Sequence, residues 1–162
     1  MTLRRIVVVA SSFTLFLFAQ SQKKSASLLP PKQDVAYLVQ GDHLVATEVQ
    51  QPTKTSTKEG EILSITGASS PARTSLPEPI LLLTAAKISP EQLALKHFQV
   101  RNGKRELATA HQKSEENEED LRITLRRLDN ATYRIEATHM LEPGEYALVA
   151  GAGTSAFCFS VY

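Results

Sequence analysis

The chain has 162 residues, with 18 Lys and Arg against 17 Asp and Glu, one Cys and no Trp. That length fits one domain with a core large enough to stand without staples, and a formal charge of +1 supplies no field for nucleic acid or another polyanion. A single Cys excludes an intramolecular disulfide and a Cys-rich metal site, and 42% hydrophobic residues with eight Pro and seven Gly exclude wholesale disorder and fibrous repeats.

The chain opens Met1-Thr2-Leu3-Arg4-Arg5, and the fourteen residues that follow, 6–19 (IVVVASSFTLFLFA), carry no charge. A basic start, an apolar centre too short to span a bilayer and a small residue near its end form the secretory pattern. Leu17-Phe18-Ala19 or Ala19-Gln20-Ser21 supplies the cleavage site, and no Cys follows the run to direct lipoprotein processing. An uncleaved signal anchor is the alternative. Cleavage removes Arg4 and Arg5 and leaves 16 basic against 17 acidic side chains, with no membrane insertion afterwards. The chain therefore reads as a signal peptide at 1–19, a flexible leader at 20–33 rich in polar residues and ending near Pro30-Pro31, and a single β domain at 34–162, exported to the periplasm or the extracellular space.

Beyond the leader, turn signals arrive at short intervals and the segments between them alternate, which is the all-β pattern. Segments 34–39 and 44–49 flank Gln40-Gly41-Asp42-His43, a hairpin; 51–60 (QPTKTSTKEG) reads as a polar loop, and 61–66 (EILSIT) as a strand closed by Gly67. A loop at 68–79 with three prolines precedes 80–84 (ILLLT), a continuous apolar run suited to a strand buried on both faces. Ser89-Pro90-Glu91-Gln92 has the form of a capping box with Pro at the first helical position, predicting one or two turns of helix. Strands 96–101 and 104–111 flank Asn102-Gly103, whose residues tolerate the positive φ angles of a type I′ turn. After an acidic loop at 113–120, strands 121–128 and 131–138 flank Asp129-Asn130, with Tyr133, Ile135 and Ala137 on one face of the second. Strands 145–150 and 156–162 close the chain, joined by Gly151-Ala152-Gly153. On the last strand Phe157, Phe159 and Val161 point one way, and Cys158 and Ser160 the other. About nine strands and at most one short helix predict an antiparallel β-sandwich or a partly open barrel.

The C-terminal fifth carries a recognisable motif. Met140-Leu141-Glu142-Pro143-Gly144-Glu145-Tyr146-Ala147-Leu148, a short Gly-containing turn and Phe157-Cys158-Phe159-Ser160-Val161 resemble the end of a group of uncharacterised exported bacterial β-domains. That group has an L-x-P-G-E-Y-A-hydrophobic strand followed by a closing F-x-F-G-V-like strand. The preceding order of an apolar strand, a Pro-started helix, a basic turn, an acidic loop and a hairpin is similar too. This chain departs at Ser160, where the group usually has Gly. The resemblance implies the fold and the compartment and carries no activity. Read from the residues alone, Pro143 presets a turn, Gly144 supplies its left-handed position, and Tyr146 packs its ring while its hydroxyl reaches a loop carbonyl.

Chemistry-bearing residues are scattered. His43, His97, His111 and His139 form no H-x-H or H-x-x-x-H pair and read as single, solvated or partly buried histidines. Glu115, Glu116, Glu118, Glu119 and Asp120 lack the alternating spacing and the Gly of a calcium loop and read as solvated. Gly67-Ala68-Ser69-Ser70 misses the second Gly of a nucleophile elbow, Cys158 reads as a small buried hydrophobe, and no phosphate-cradling Gly loop is present. Lys23-Lys24, Arg101 with Lys104-Arg105, and Arg126-Arg127 are short basic spots among acids, read as surface. Asn130-Ala131-Thr132 is an N-glycosylation triplet. No residue is assigned a catalytic, cofactor-binding or metal role, and no cofactor is expected. The expectation is an exported, non-enzymatic β-domain working through a protein partner or as a structural module. A carbohydrate- or small-ligand-binding module stands second, and a hydrolase third.

The secretory reading fixes where the mature chain starts. Mass spectrometry of the protein from its native host is expected to place the N-terminus between residues 20 and 22, whereas an intact Met1 or Thr2 would establish the anchor.

Overall fold

A computed structural model describes residues 28–58, 60–110, 121–151 and 153–162. The signal peptide, leader residues 20–27, His111 and the acidic loop 113–120 lie outside the described residues. Within them the alternation becomes thirteen strands: β1 (Ala36–Gln40), β2 (His43–Ala46), β3 (Glu48–Gln50), β4 (Thr53–Ser56), β5 (Gly60–Thr66), β6 (Arg73–Thr74), β7 (Ile80–Thr84), β8 (Leu93–Arg101), β9 (Lys104–Ala110), β10 (Ile123–Arg127), β11 (Thr132–Ala137), β12 (Gly144–Ala150) and β13 (Ser155–Val161). They form two antiparallel sheets. The first has the order β10-β11-β7-β1-β2; the second runs β3-β13-β12-β8-β9-β5-β4, with β6 parallel to β13.

The apolar run 80–84 is the central strand of the first sheet, and Leu81, Leu82 and Leu83 are all buried, as a strand covered on both faces requires. Its Leu81 stands in register with Leu38 of β1 and Ile135 of β11. Across the sandwich, Leu148 of β12 stands in register with Phe157 of β13 and Leu95 of β8. These two rows belong to one cluster of buried side chains that also holds Tyr146, Phe159 and Val161. The second sheet has a second buried face. Ala147 and Val149, one residue out of phase with Leu148, join Cys158, Ala156, Phe98, Leu63 and Ile65 in a separate cluster, with Leu107 packed against it. The sheet curls through β8, β9 and β5 into a half-barrel that covers its own inner face. The sandwich and the partly open barrel are therefore both present in one domain.

Local chemistry accounts for the connections. Asn102 (φ 49°) and Gly103 (φ 74°) adopt the positive angles of the predicted tight turn, pairing Arg101 with Lys104. Asp129 Oδ1 accepts the amides of Ala131 (2.9 Å) and Thr132 (2.8 Å), closing the β10–β11 hairpin. Asp34 also takes a positive φ (55°), and its carboxylate accepts the amides of Ala86, Lys87 and Ile88 at 2.8 to 3.1 Å. Burial raises the Asp34 pKa, but these three amides and the charge of Lys87 outweigh it and hold it below the usual aspartate range.

Several predicted elements change. Segment 44–49 is two strands, because Thr47 donates both its amide (3.0 Å) and its hydroxyl (2.7 Å) to the Ala36 carbonyl and the chain leaves the first sheet there for the second. The loop 51–60 contains β4, a fully exposed edge strand whose polarity hides its β-branched threonines. The loop 68–79 contains the two-residue β6. These strands raise the count above nine. The expected capping box does not form: Pro90–Gln92 is a single 3-10 turn, Ser89 makes no side-chain cap, and β8 begins at Leu93 at once. Strand 34–39 starts at Ala36, since Asp34 is taken up by the 86–88 loop. The last described leader residue, Gln33, bridges Thr84, so the leader is already docked there.

Phe157 and Phe159 are both 0% exposed in the inter-sheet cluster, with Cys158 behind them in the half-barrel cluster. Phe159→Ala is therefore expected to destabilise the domain by about 3–5 kcal/mol, read as a lowered urea midpoint.

Candidate functional site

The inner face of the half-barrel is polar at one end, apolar in the middle and open at the other. Register sets this gradient. Along β12, Glu145, Ala147 and Val149 face inward in turn; along β9, Arg105 and Leu107; along β5, Ile65, Leu63 and Glu61.

Arg105 fills the polar end at 1% exposure. Its Nε donates to the Gly67 carbonyl at 3.0 Å and its Nη2 to the Thr66 carbonyl at 2.8 Å. Its Nη1 lies 2.8 Å from Glu48 Oε2 and 3.8 Å from Glu145 Oε2. The closer contact is an ion pair whose angles fall outside hydrogen-bond geometry. Glu145 accepts the Ser69 hydroxyl (2.7 Å), the Ser160 hydroxyl (2.7 Å) and the Ser70 amide (2.9 Å). Ser70 donates its own hydroxyl to the Cys158 carbonyl at 3.0 Å. Burial pushes the Glu48 carboxyl up, but Arg105 and Gln50 together outweigh it and hold the pKa below the usual glutamate range. Sequence reading had placed Arg105 with Arg101 and Lys104 on the surface. Arg101 and Lys104 are exposed, whereas Arg105 shares the inward phase of Leu107 on β9 and is buried. Strand alternation was the available signal, masked by the run of basic residues around the turn.

The Pro143-Gly144-Glu145-Tyr146 motif is structural throughout. The Tyr146 hydroxyl donates to the Glu142 carbonyl at 2.8 Å, and its ring stacks between His97 (4.7 Å) and Phe159 (5.9 Å). Burial and the Glu142 charge raise its pKa. Gly144 is not a left-handed turn residue: it is the first residue of β12 and is absent from the positive-φ glycines. A Cβ there would stand 2.6 Å from Nε2 at the tip of the exposed His97 side chain, which would have to shift to admit it. Ser160, the departure from the resembled group, supplies one of the three donors to Glu145.

The remaining sequence candidates stay apart. His43 sits at the first hairpin turn, His97 lies against Tyr146, and His139 pairs with Thr138 Oγ1 at 2.9 Å; all three are exposed. Among the described residues no group of three His, Cys, Asp or Glu is placed to hold a metal ion. Burial pushes the Cys158 thiol up to about 12, so it stays a protonated thiol, a poor nucleophile. Arg126 and Arg127 are exposed, with Arg127 Nε on the Asp129 carbonyl at 2.9 Å. Asn130 is exposed, while Thr132 of the same triplet is buried against Thr84 (3.1 Å).

The open end is a cavity of about 170 Å³. Leu63, Leu107, Val149 and Ala94 line it, and Lys54, Lys96 and Glu61 stand among them. Gly151 and Gly153 complete the wall; a Cβ on Gly153 would lie 3.0 Å from Lys54 Cε and 3.3 Å from Leu63 Cδ1. Sequence reading assigned no role to these residues. Lys54 was hidden in the presumed 51–60 loop, and the others are ordinary strand residues until the sheet curls. No family model, curated protein or solved structure matches the chain. Chemically, the polar end holds an interlocked ion network, and the open end offers apolar surface beside ammonium groups.

Removing Arg105 leaves one buried and one half-buried carboxylate without their cation. Arg105→Met is expected to destabilise by about 3–5 kcal/mol at pH 7. In the native protein Glu48 has a lowered pKa, so its contribution is complete above the ordinary carboxylate value of about 4.3 and is lost as pH falls through the lowered one. Without Arg105 that acid-side loss shrinks. Urea midpoints of both proteins should therefore converge from pH 7 to pH 3; a constant gap would contradict the ion-network assignment.

Proposed function

We propose that the domain is an exported, non-enzymatic binding module whose recognition site is the open end of the half-barrel. The observation that carries the reading is the division of labour along one face. The groups with catalytic chemistry at one end, Arg105, Glu48, Glu145, Ser70 and Ser160, are held by one another and by backbone. An apolar concavity bordered by a few charged groups, the usual make-up of a small-molecule site, lies at the other. Sugar binding is disfavoured, because no aromatic ring lines the cavity. Support for export comes from Arg4-Arg5 and the uncharged run 6–19.

A protein partner is the second reading, favoured by β10. This strand forms an open edge of the first sheet, with Thr124, Arg126 and Arg127 exposed, and could take an added strand. Methyl spectra during titration with small apolar and amphiphilic fragments decide between the readings. Shifts confined to Leu63, Leu107 and Val149 are expected. A spectrum unmoved by every fragment, combined with hydrogen-exchange protection of β10 by a captured protein, would move the function to the sheet edge, and turnover of ester, peptide or glycoside substrates would make the domain an enzyme.

A further inference from the structure

Resting on the binding-module reading, we infer that the open end of the half-barrel takes a small anionic amphiphile: a carboxylate bearing an apolar tail of about six to eight carbons, tail inward and head at Lys54. Size sets the tail. An enclosed apolar cavity of about 150 Å³ accepts a benzene-sized guest, and this one, open to water at its mouth so that a chain can project from it, measures about 170 Å³ with Leu63, Leu107, Val149 and Ala94 on its walls. Closure of the inner end sets the direction of entry. Ala147, Cys158, Phe98 and Ile65 are packed solid between the cavity and the Arg105 network, so a guest enters head-last from the mouth.

Charge sets the head. The cavity wall carries two ammonium groups and one carboxylate: Lys54, Lys96 and Glu61. Lys96 and Glu61 have interactions of their own. Lys54 makes no hydrogen bond or ion pair within the described residues, and its Cε and Nζ reach across the mouth to within 3.0 and 3.6 Å of the position a Gly153 Cβ would take. The stem of this lysine covers apolar wall while its ammonium stays at the water boundary. A guest that buries a hydrocarbon tail and leaves an anion at the rim matches both parts of that side chain; a cationic or neutral head matches only the wall. The lysine lies on β4, an exposed edge strand, and its register with Leu63 of β5 sets it beside the cavity.

The test uses the purified protein, methyl-labelled, with four probes: octanoate, hexanoate, octanol and octyltrimethylammonium. Octanoate is expected to shift the Leu63, Leu107 and Val149 methyls. Hexanoate should bind about fifteenfold more weakly, at roughly fourfold for each methylene removed. Octanol and the cation should trail octanoate by about three- to fivefold or more, the range of a half-exposed ion pair. Lys54→Gln should abolish that preference for the anion and leave octanol binding unchanged, whereas Ala94→Phe should block all four probes by filling the cavity. Should Ala94→Phe not fold, Leu107→Trp fills the same space. Equal binding of octanoate, octanol and the cation at these methyls overturns the anionic assignment while the binding-module reading stands. Shifts that survive Ala94→Phe and Leu107→Trp, or no shift with any probe, overturn both.

Discussion

A buried arginine is what the second sheet is arranged around. Arg105 brings one guanidinium to three separate parts of the chain: the Thr66 and Gly67 carbonyls at the end of β5, Glu48 on β3 and Glu145 on β12. Strands β3 and β5 sit far apart in the order of that sheet, and only a curled sheet brings both within reach of a side chain on β9. The Arg105 Nε and Nη2 are taken by the two carbonyls and Nη1 faces both carboxylates, so the curl brings charges from separate strands to one guanidinium. Such a buried ion cluster need not add stability beyond what apolar residues of the same volume would give. What it adds is discrimination, because a flatter sheet would strand the same charges without partners.

The curl explains the burial pattern of β12 and β13, where nearly every residue is covered. A strand in a two-layer sandwich ordinarily shows one face to water. Here Leu148 and Phe157 face the first sheet, while Ala147, Val149 and Cys158 face the inside of the half-barrel. Small residues dominate the second set because the half-barrel has less room than the sandwich core. Glu145 and Ser160 sit on the same inner face, where a charge is tolerated only because Ser69, Ser70 and Arg105 meet it.

The sequence made the strands of the first sheet legible, since ILLLT, the Asp129-Asn130 turn and the Tyr133-Ile135-Ala137 face each carry a local signal. Asn102-Gly103 was equally plain. Illegible were features set by distance in the fold. Arg105 looked like a surface residue beside Lys104, because alternation assigns a face but cannot say that the face is enclosed. Strand β4 looked like a loop because an edge strand in water has no apolar residues to mark it. Gly144 reads in the sequence as a left-handed turn residue, but it opens β12, and its neighbour is the His97 ring, 47 positions earlier in the chain, which no turn rule carries. The cavity residues were the least visible, since Leu63, Leu107, Val149 and Ala94 come from four strands that meet only after the curl.

The two ends of the half-barrel follow from one constraint. A curled sheet with a hydrophobic lining has two ends, and each is either closed or faces water. Arg105 and its carboxylates close one end with groups that bond each other, so no polar atom there is left to reach for a ligand beyond the Glu48–Arg105 contact itself. At the other end Ala94 and Val149, still paired between β8 and β12, line the open mouth together with Gly151 and Gly153. The apolar wall exposed there is small, and the Lys54 side chain borders it. Groups that bond one another close one end of the half-barrel, and an apolar wall bordered by the Lys54 ammonium stands at the other.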